Sequence, residues 1–115
     1  MAIESGTLDA LVPGSSLTAS LATYYTVPAN TKVFLKHINL CSDDGSNRVV
    51  TIHCILAAGA AGTNNKRFQI TVGANDFEDV DTGIVMNAGD FIQAKTSSGT
   101  SISMHISGIT ITQVS

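Results

Sequence analysis

Apolar and polar residues alternate with a period of two along most of this chain, and no stretch sustains the 3.6-residue period of a helix. The pattern is clearest between Tyr24 and Leu56. Two runs there, roughly Lys32–Cys41 and Arg48–Leu56, are separated by the turn-forming Ser42–Asn47 and entered through Pro28-Ala29-Asn30. Folded into a hairpin, they pair Leu40 with Val50, Ile38 with Ile52 and Phe34 with Leu56 on an apolar face. The other face pairs Asn39 with Thr51, His37 with His53 and Leu35 with Ile55, a mixed surface that either packs under the edge of a second sheet or, as expected here, meets a neighbouring subunit.

Further strands follow at Ala22–Val27, Lys66–Val72, Gly83–Met86 and Phe91–Thr96, with small-residue or polar loops between them. Gly73–Thr82 holds the acidic cluster Asp76, Glu78, Asp79 and Asp81 and reads as a solvated loop. In the last strand, Ser101–Val114, the apolar positions are even through Ile106 and odd at Ile109 and Ile111. A parity switch at Gly108 predicts a β-bulge or a strand that bends between sheets. Residues 1–21 sustain neither period and form a lead-in, either an edge strand or an arm laid on the domain or on a neighbour. Residues 22–115 then make one all-β domain, a β-sandwich of jelly-roll type with seven or eight antiparallel strands.

Composition narrows the function classes. Only 13% of residues are charged, against about 25% in an ordinary soluble domain, and 13 Thr and 12 Ser supply much of the polar surface. Such a surface suits packing against neighbours. The net charge of −3 and the lack of a basic run argue against nucleic-acid binding. No apolar run is long enough for a membrane span or a signal peptide, so a soluble protein made in the cytoplasm is expected. Cys41 and Cys54 fall on opposite faces of the predicted hairpin and are expected to be free thiols.

Two segments carry a family resemblance. Tyr25-Thr26-Val27-Pro28-Ala29-Asn30-Thr31, leading into a long strand that ends in Leu40-Cys41, is the first. Val85-Met86-Asn87-Ala88-Gly89-Asp90-Phe91-Ile92, followed by an isoleucine-rich last strand, is the second. Together they resemble the small β-sandwich virion proteins of tailed bacteriophages: head decoration or cement proteins, head fibres, and tail or baseplate components. The resemblance implies a non-enzymatic structural protein of the virion, commonly a homotrimer, with itself and the major capsid or another virion protein as partners. It implies no catalytic, cofactor or metal site. A capsid decoration or cement role is the first expectation; a tail, neck or fibre component with receptor or carbohydrate contact is the alternative.

Candidate chemistry is sparse. An opposed His37–His53 pair could ligate a metal but lacks ligand-spaced partners, and the Asp76–Asp81 run lacks the spacing of a calcium loop. There is no G-x-S-x-G elbow, and the only glutamates are Glu4 and Glu78. Tyr24 and Tyr25 are the only tyrosines in a chain without Trp, thin material for a sugar platform. The candidate residues are therefore contacts: Leu8, Leu11 and Val12 of the lead-in, Leu35, His37, His53 and Ile55 of the mixed hairpin face, and the loops around Asp43 and Phe77.

Overall fold

A computed structural model describes the backbone of residues 3–114 and the side chains of residues 6–112. Eight strands appear in order: β1 (Ile3–Ser16), β2 (Ala22–Thr26), β3 (Thr31–Ser42), β4 (Arg48–Ile55), β5 (Lys66–Val72), β6 (Phe77–Met86), β7 (Phe91–Thr96) and β8 (Ile102–Val114). One 3₁₀ turn, Thr63–Asn65, precedes β5. The strands form two four-stranded antiparallel sheets, β1-β8-β3-β6 and β2-β7-β4-β5. Strand β1 pairs with β8, β2 with β7, β3 with β6 and β4 with β5, as if one long hairpin had been rolled over on itself. That is jelly-roll topology.

The predicted β3–β4 hairpin does not exist. Both edges of β3 are taken, by β6 and β8, while β4 lies in the other sheet between β5 and β7. The intervening loop crosses from sheet to sheet and is fastened at its base. Ser42 N donates to Asp76 O, Asp43 N to Ser101 O and Asn75 N to Asp44 O, and Arg48 Nε reaches Asp44 Oδ2 at 2.8 Å. Ile38, Leu40, Val50 and Ile52 are still fully buried, but they meet inside the sandwich from opposite sheets. For these four residues alternation specifies which way each points, but not which strand lies beside it.

Two irregular places explain the remaining mismatches. Strand β3 carries one extra residue relative to β8 at Lys36, between Leu35↔Gly108 and His37↔Ser107. Its inward positions therefore change from odd (Val33, Leu35) to even (Ile38, Leu40), and Phe34 points outward. Strand β1 shifts register against β8 twice, between Ala10 and Val12 and between Val12 and Ser15, around Pro13 and a Gly14 with φ of 65°. These shifts account for the missing period in the lead-in, of which Ile3–Ser16 forms an edge strand. By contrast β8 itself keeps one parity throughout. Ile102, Met104 and Ile106 are buried, Gly108 pairs with Leu35, and Ile109 and Ile111 project from the outer face. The bulge expected at Gly108 lies instead on its neighbours.

The acidic segment is strand rather than loop from Phe77 onward. Its outward positions are Asp79 and Asp81 and its inward ones Val80 and Ile84, so charge at alternate positions conceals an ordinary two-residue period. Among the described residues no helix is long and apolar enough to cross a membrane. The molecule measures 54 × 26 × 18 Å.

Candidate contact face

The structure divides the predicted contact residues into two groups. Leu11, Val12 and Leu35 are at most 7% exposed and belong to the core cluster, and Ile55, 1% exposed, is buried outside that cluster. His53 is 8% exposed, covered by the segment after β4: Asn65 Oδ1 lies 2.8 Å from His53 Nδ1 and accepts Gly62 N, while Asn65 Nδ2 donates to Ala60 O. The same segment brings Gly59 over Ile55. What was read as a face for another subunit is therefore partly the core and partly a surface that the chain covers itself. His37 and His53 sit in different sheets and share no site. Leu8, Phe77 and Asp43 are exposed, but Leu8 lies at the opposite end of its sheet from the other two.

Leu8 belongs to a feature that crosses the whole β1-β8-β3-β6 sheet. It pairs with Ile109, Ile109 with Phe34, and Phe34 with Val85. Directly opposed residues point to the same side, so these four side chains make one apolar row on the outer face, with Ile111 in the next row. Leu8 is 70% and Val85 56% exposed, while Phe34 and Ile109 are half-buried. The outer face of the β2-β7-β4-β5 sheet is different: Thr23, Gln93, Thr51, Lys95 and Gln69 occupy its central positions. The two outer faces thus differ: a contiguous apolar strip crosses the first sheet, and Thr, Gln and Lys occupy the centre of the second. Reasoning from sequence missed Phe34, Val85, Ile109 and Ile111; the odd-numbered isoleucines of β8 were the available signal.

Beyond this row on the same face lies a charged cluster. His37 Nδ1 is 2.9 Å from Asp81 Oδ1 and His37 Nε2 is 3.1 Å from Asp79 Oδ1, while Asn39 Nδ2 donates to Asp79 Oδ1 at 2.7 Å. Both ring nitrogens can donate at once only in the imidazolium. The hydrogen bonds to Asp81 and Asp79 raise the His37 pKa above the ordinary 6.5, and those from Asn39 and His37 lower that of Asp79. A raised histidine pKa contributes stability that is complete below 6.5 and is lost as pH rises through the folded value. A lowered aspartate pKa contributes stability above 3.8 that is lost as pH falls through its own folded value. Thermal melts are thus expected to fall modestly as pH rises above 6.5, because the cluster is exposed and solvent-screened. His37→Gln should flatten that limb; an unchanged slope would remove the cluster as its origin.

A cavity of about 480 Å³ lies beside Val85 where the two sheets part. Ile55, Leu56, Ile84 and Met86 line it, together with Arg67 and Asp90. Its chemistry is quiet. Asp90 accepts from Ala57 N and Asn87 N to hold two turns, and burial pushes the Cys54 thiol up to about 11, leaving it protonated and poorly nucleophilic at neutral pH. Both cysteines are free. No group of three or more His, Cys, Asp or Glu among the described residues is arranged to hold a metal ion.

No family model matches the sequence, and no curated protein matches it significantly. Solved structures do resemble the fold. One is a protein of the Bacillus endospore appendages, which form disulfide-linked pili: 15% identity, 96% of this chain and 88% of that one, TM-score 0.54. The fold is shared. Looser matches are the virus-like particle protein of the Macrobrachium rosenbergii extra small virus (10% identity, 96% and 78% coverage, TM-score 0.49) and infectious bursal disease virus VP2 (10%, 96% and 33%, TM-score 0.42). These neighbours are viral capsid and pilus proteins. At such identities the likeness is one of architecture.

Proposed function

We propose that this chain is a non-catalytic structural subunit of a tailed-phage virion, working as a homotrimeric decoration or cement protein on the head shell. The observation that carries the reading is the apolar Leu8–Ile109–Phe34–Val85 row on the outer face of one sheet only. Its exposure costs free energy in water that burial in an assembly recovers. Binding to the major capsid protein or another virion protein at subunit junctions would favour the closed shell by mass action. The family resemblance of the Tyr25–Thr31 and Val85–Ile92 segments supports the same reading.

Carbohydrate contact, the distinctive element of the tail or fibre alternative, finds less support. Both tyrosines pack against the core, and the Tyr24 hydroxyl donates to Ser16 O at 3.2 Å. Neither presents the free ring that a sugar platform needs. The test is quantitative mass spectrometry of purified virions made by the genome that encodes the chain. A decoration protein is expected in copy numbers comparable to the capsid subunits, and shells lacking it should rupture at lower temperature. Absence from the particle, or a handful of copies confined to the tail, would overturn the reading.

A further inference from the structure

We propose that the outer face of the β1-β8-β3-β6 sheet is covered by two more copies of the chain, three such sheets forming a triangular prism with the Leu8–Ile109–Phe34–Val85 rows facing its axis. The inference deepens the trimeric role proposed above and rests on it for the premise of self-association. It adds the contact face, the joint and the reason for three.

The joint follows from the edges of the sheet. Three antiparallel pairings separate β1 from β6, so the two edge strands run in opposite directions. When one copy is set beside the next with the same end up, β1 meets the neighbour's β6 antiparallel, the arrangement that joins two edges into a continuous ladder. Both edges are also blunted at the same end. On β1 the register breaks between Ala10 and Ser15, with Pro13 offering no N–H. On β6 the corresponding half carries Glu78, Asp79 and Asp81, the charge that keeps edges from pairing. The other halves, through Leu8 on β1 and Gly83–Met86 on β6, carry no charge except Glu4 and Asp9 on β1. They lie level, because Leu8 and Val85 terminate one cross-sheet row. Joining them places Leu8 of each copy beside Val85 of the next.

Geometry then selects the number of copies. Four strands spaced about 4.8 Å give each sheet a width of about 19 Å, so three sheets joined at their edges enclose a triangle whose sides lie about 5.5 Å from the axis. Facing sheets pack about 10 Å apart, about 5 Å on each side of the midplane, so the row side chains fill that triangle. Four sheets would stand about 9.6 Å from the axis and leave it hollow. The polar outer face of the second sheet remains in water, as its Thr, Gln and Lys residues require. The His37–Asp79–Asp81 cluster lies toward the blunted end, where unjoined edges leave room for solvent. Lys32, one row beyond Phe34 at the other end, has a stem long enough to carry its amine past the apolar layer.

The contact is head-to-tail, which gives it a diagnostic test by sedimentation equilibrium of the purified full chain. The wild type is expected at three times the chain mass, and Leu8→Asp and Val85→Asp are each expected at one, with unchanged far-ultraviolet dichroism because both side chains are exposed. Mixed together, Leu8→Asp supplies an intact β6 edge and Val85→Asp an intact β1 edge, so a 1:1 pair should form. Should either variant fold poorly, the double variant Leu8→Cys/Val85→Cys tests the same joint without an added charge. Mild oxidation should link chains up to three and no further, while each single cysteine variant links no more than the wild type, whose exposed Cys41 is the background. A wild type that stays monomeric, variants that remain trimeric, or linking that does not depend on both cysteines would overturn the proposal. A trimer in solution together with absence from virions would instead overturn the virion role and leave the contact standing.

Discussion

Gly108→Ala is expected to cost the fold about 3 kcal/mol, at the upper end of overpacking penalties, and to lower the melting temperature by about 10 °C or more. Gly108 sits mid-strand in β8, next to the extra residue of β3 at Lys36 and one pair away from the first register shift of β1, between Ala10 and Val12. A Cβ there would overlap the Phe34 carbonyl oxygen and approach Leu11 Cδ1 at 3.1 Å and Leu35 Cα at 3.3 Å. Two of these obstacles are backbone, which cannot swing aside as a side-chain tip would. Gly83→Ala is the control. It lies in the adjacent sheet edge, where a Cβ would make only ordinary contact with Phe34 Cζ at 3.6 Å, and it should be neutral or slightly stabilising by reducing the freedom of the unfolded chain. Chemical denaturation of both variants checks the pair, and equal stabilities would refute the packing described around β8.

Leu35→Ala is expected to lose about 3–4 kcal/mol through the cavity it leaves, whereas Phe34→Ala should lose about 1 kcal/mol in the monomer because its ring is only half covered. Leu35 is fully buried and its strand neighbour Phe34 projects outward. A β3–β4 hairpin with uninterrupted alternation predicts the reverse order, with Phe34 in the core. Urea unfolding under dilute, monomeric conditions measures both. A larger loss for Phe34→Ala would place the Lys36 irregularity elsewhere or remove it.

That reversal locates where the fold could be read from the sequence. The all-β class, the strand positions from β2 onward apart from the acidic first half of β6, and the inward direction of Ile38, Leu40, Val50 and Ile52 follow from alternation and turn residues, since period two is a local property. Partnership is not local. Nothing within Ser42–Asn47 distinguishes a turn that returns beside β3 from one that crosses to the other sheet; the distinction depends on Asp76 and Ser101, which receive its backbone hydrogens. The single extra residue at Lys36 is invisible for the same reason, because a bulge exists only relative to a partner strand. Its consequence is the exchange of two neighbours: uninterrupted alternation sends Leu35, a candidate contact, outward and Phe34 inward, the reverse of their observed positions.

The outward apolar row is visible in the sequence of β8. Ile109 and Ile111 break the parity of β8, and a bulge is the usual reason for such a break. Here the strand is regular and the isoleucines face out, so the anomaly recorded an apolar surface instead. Likewise the acids at alternate positions of β6 resembled a loop, although they are the solvated side of an edge strand paired to His37 and Asn39. In both cases an outward-facing pattern chosen for contact or for edge protection departs from the plain apolar-in, polar-out rule.

The claim that this protein works through the outer face of its β1-β8-β3-β6 sheet is tested most directly by amide hydrogen exchange, compared between concentrated, assembled protein and the Leu8→Asp variant. Assembly should slow exchange at the open edges, in the β1 segment around Leu8 and at Gly83–Met86 of β6, and leave β5 at Lys66–Val72 unchanged. Protection confined to β5, with both edges of the first sheet exchanging freely in the assembled state, would contradict it.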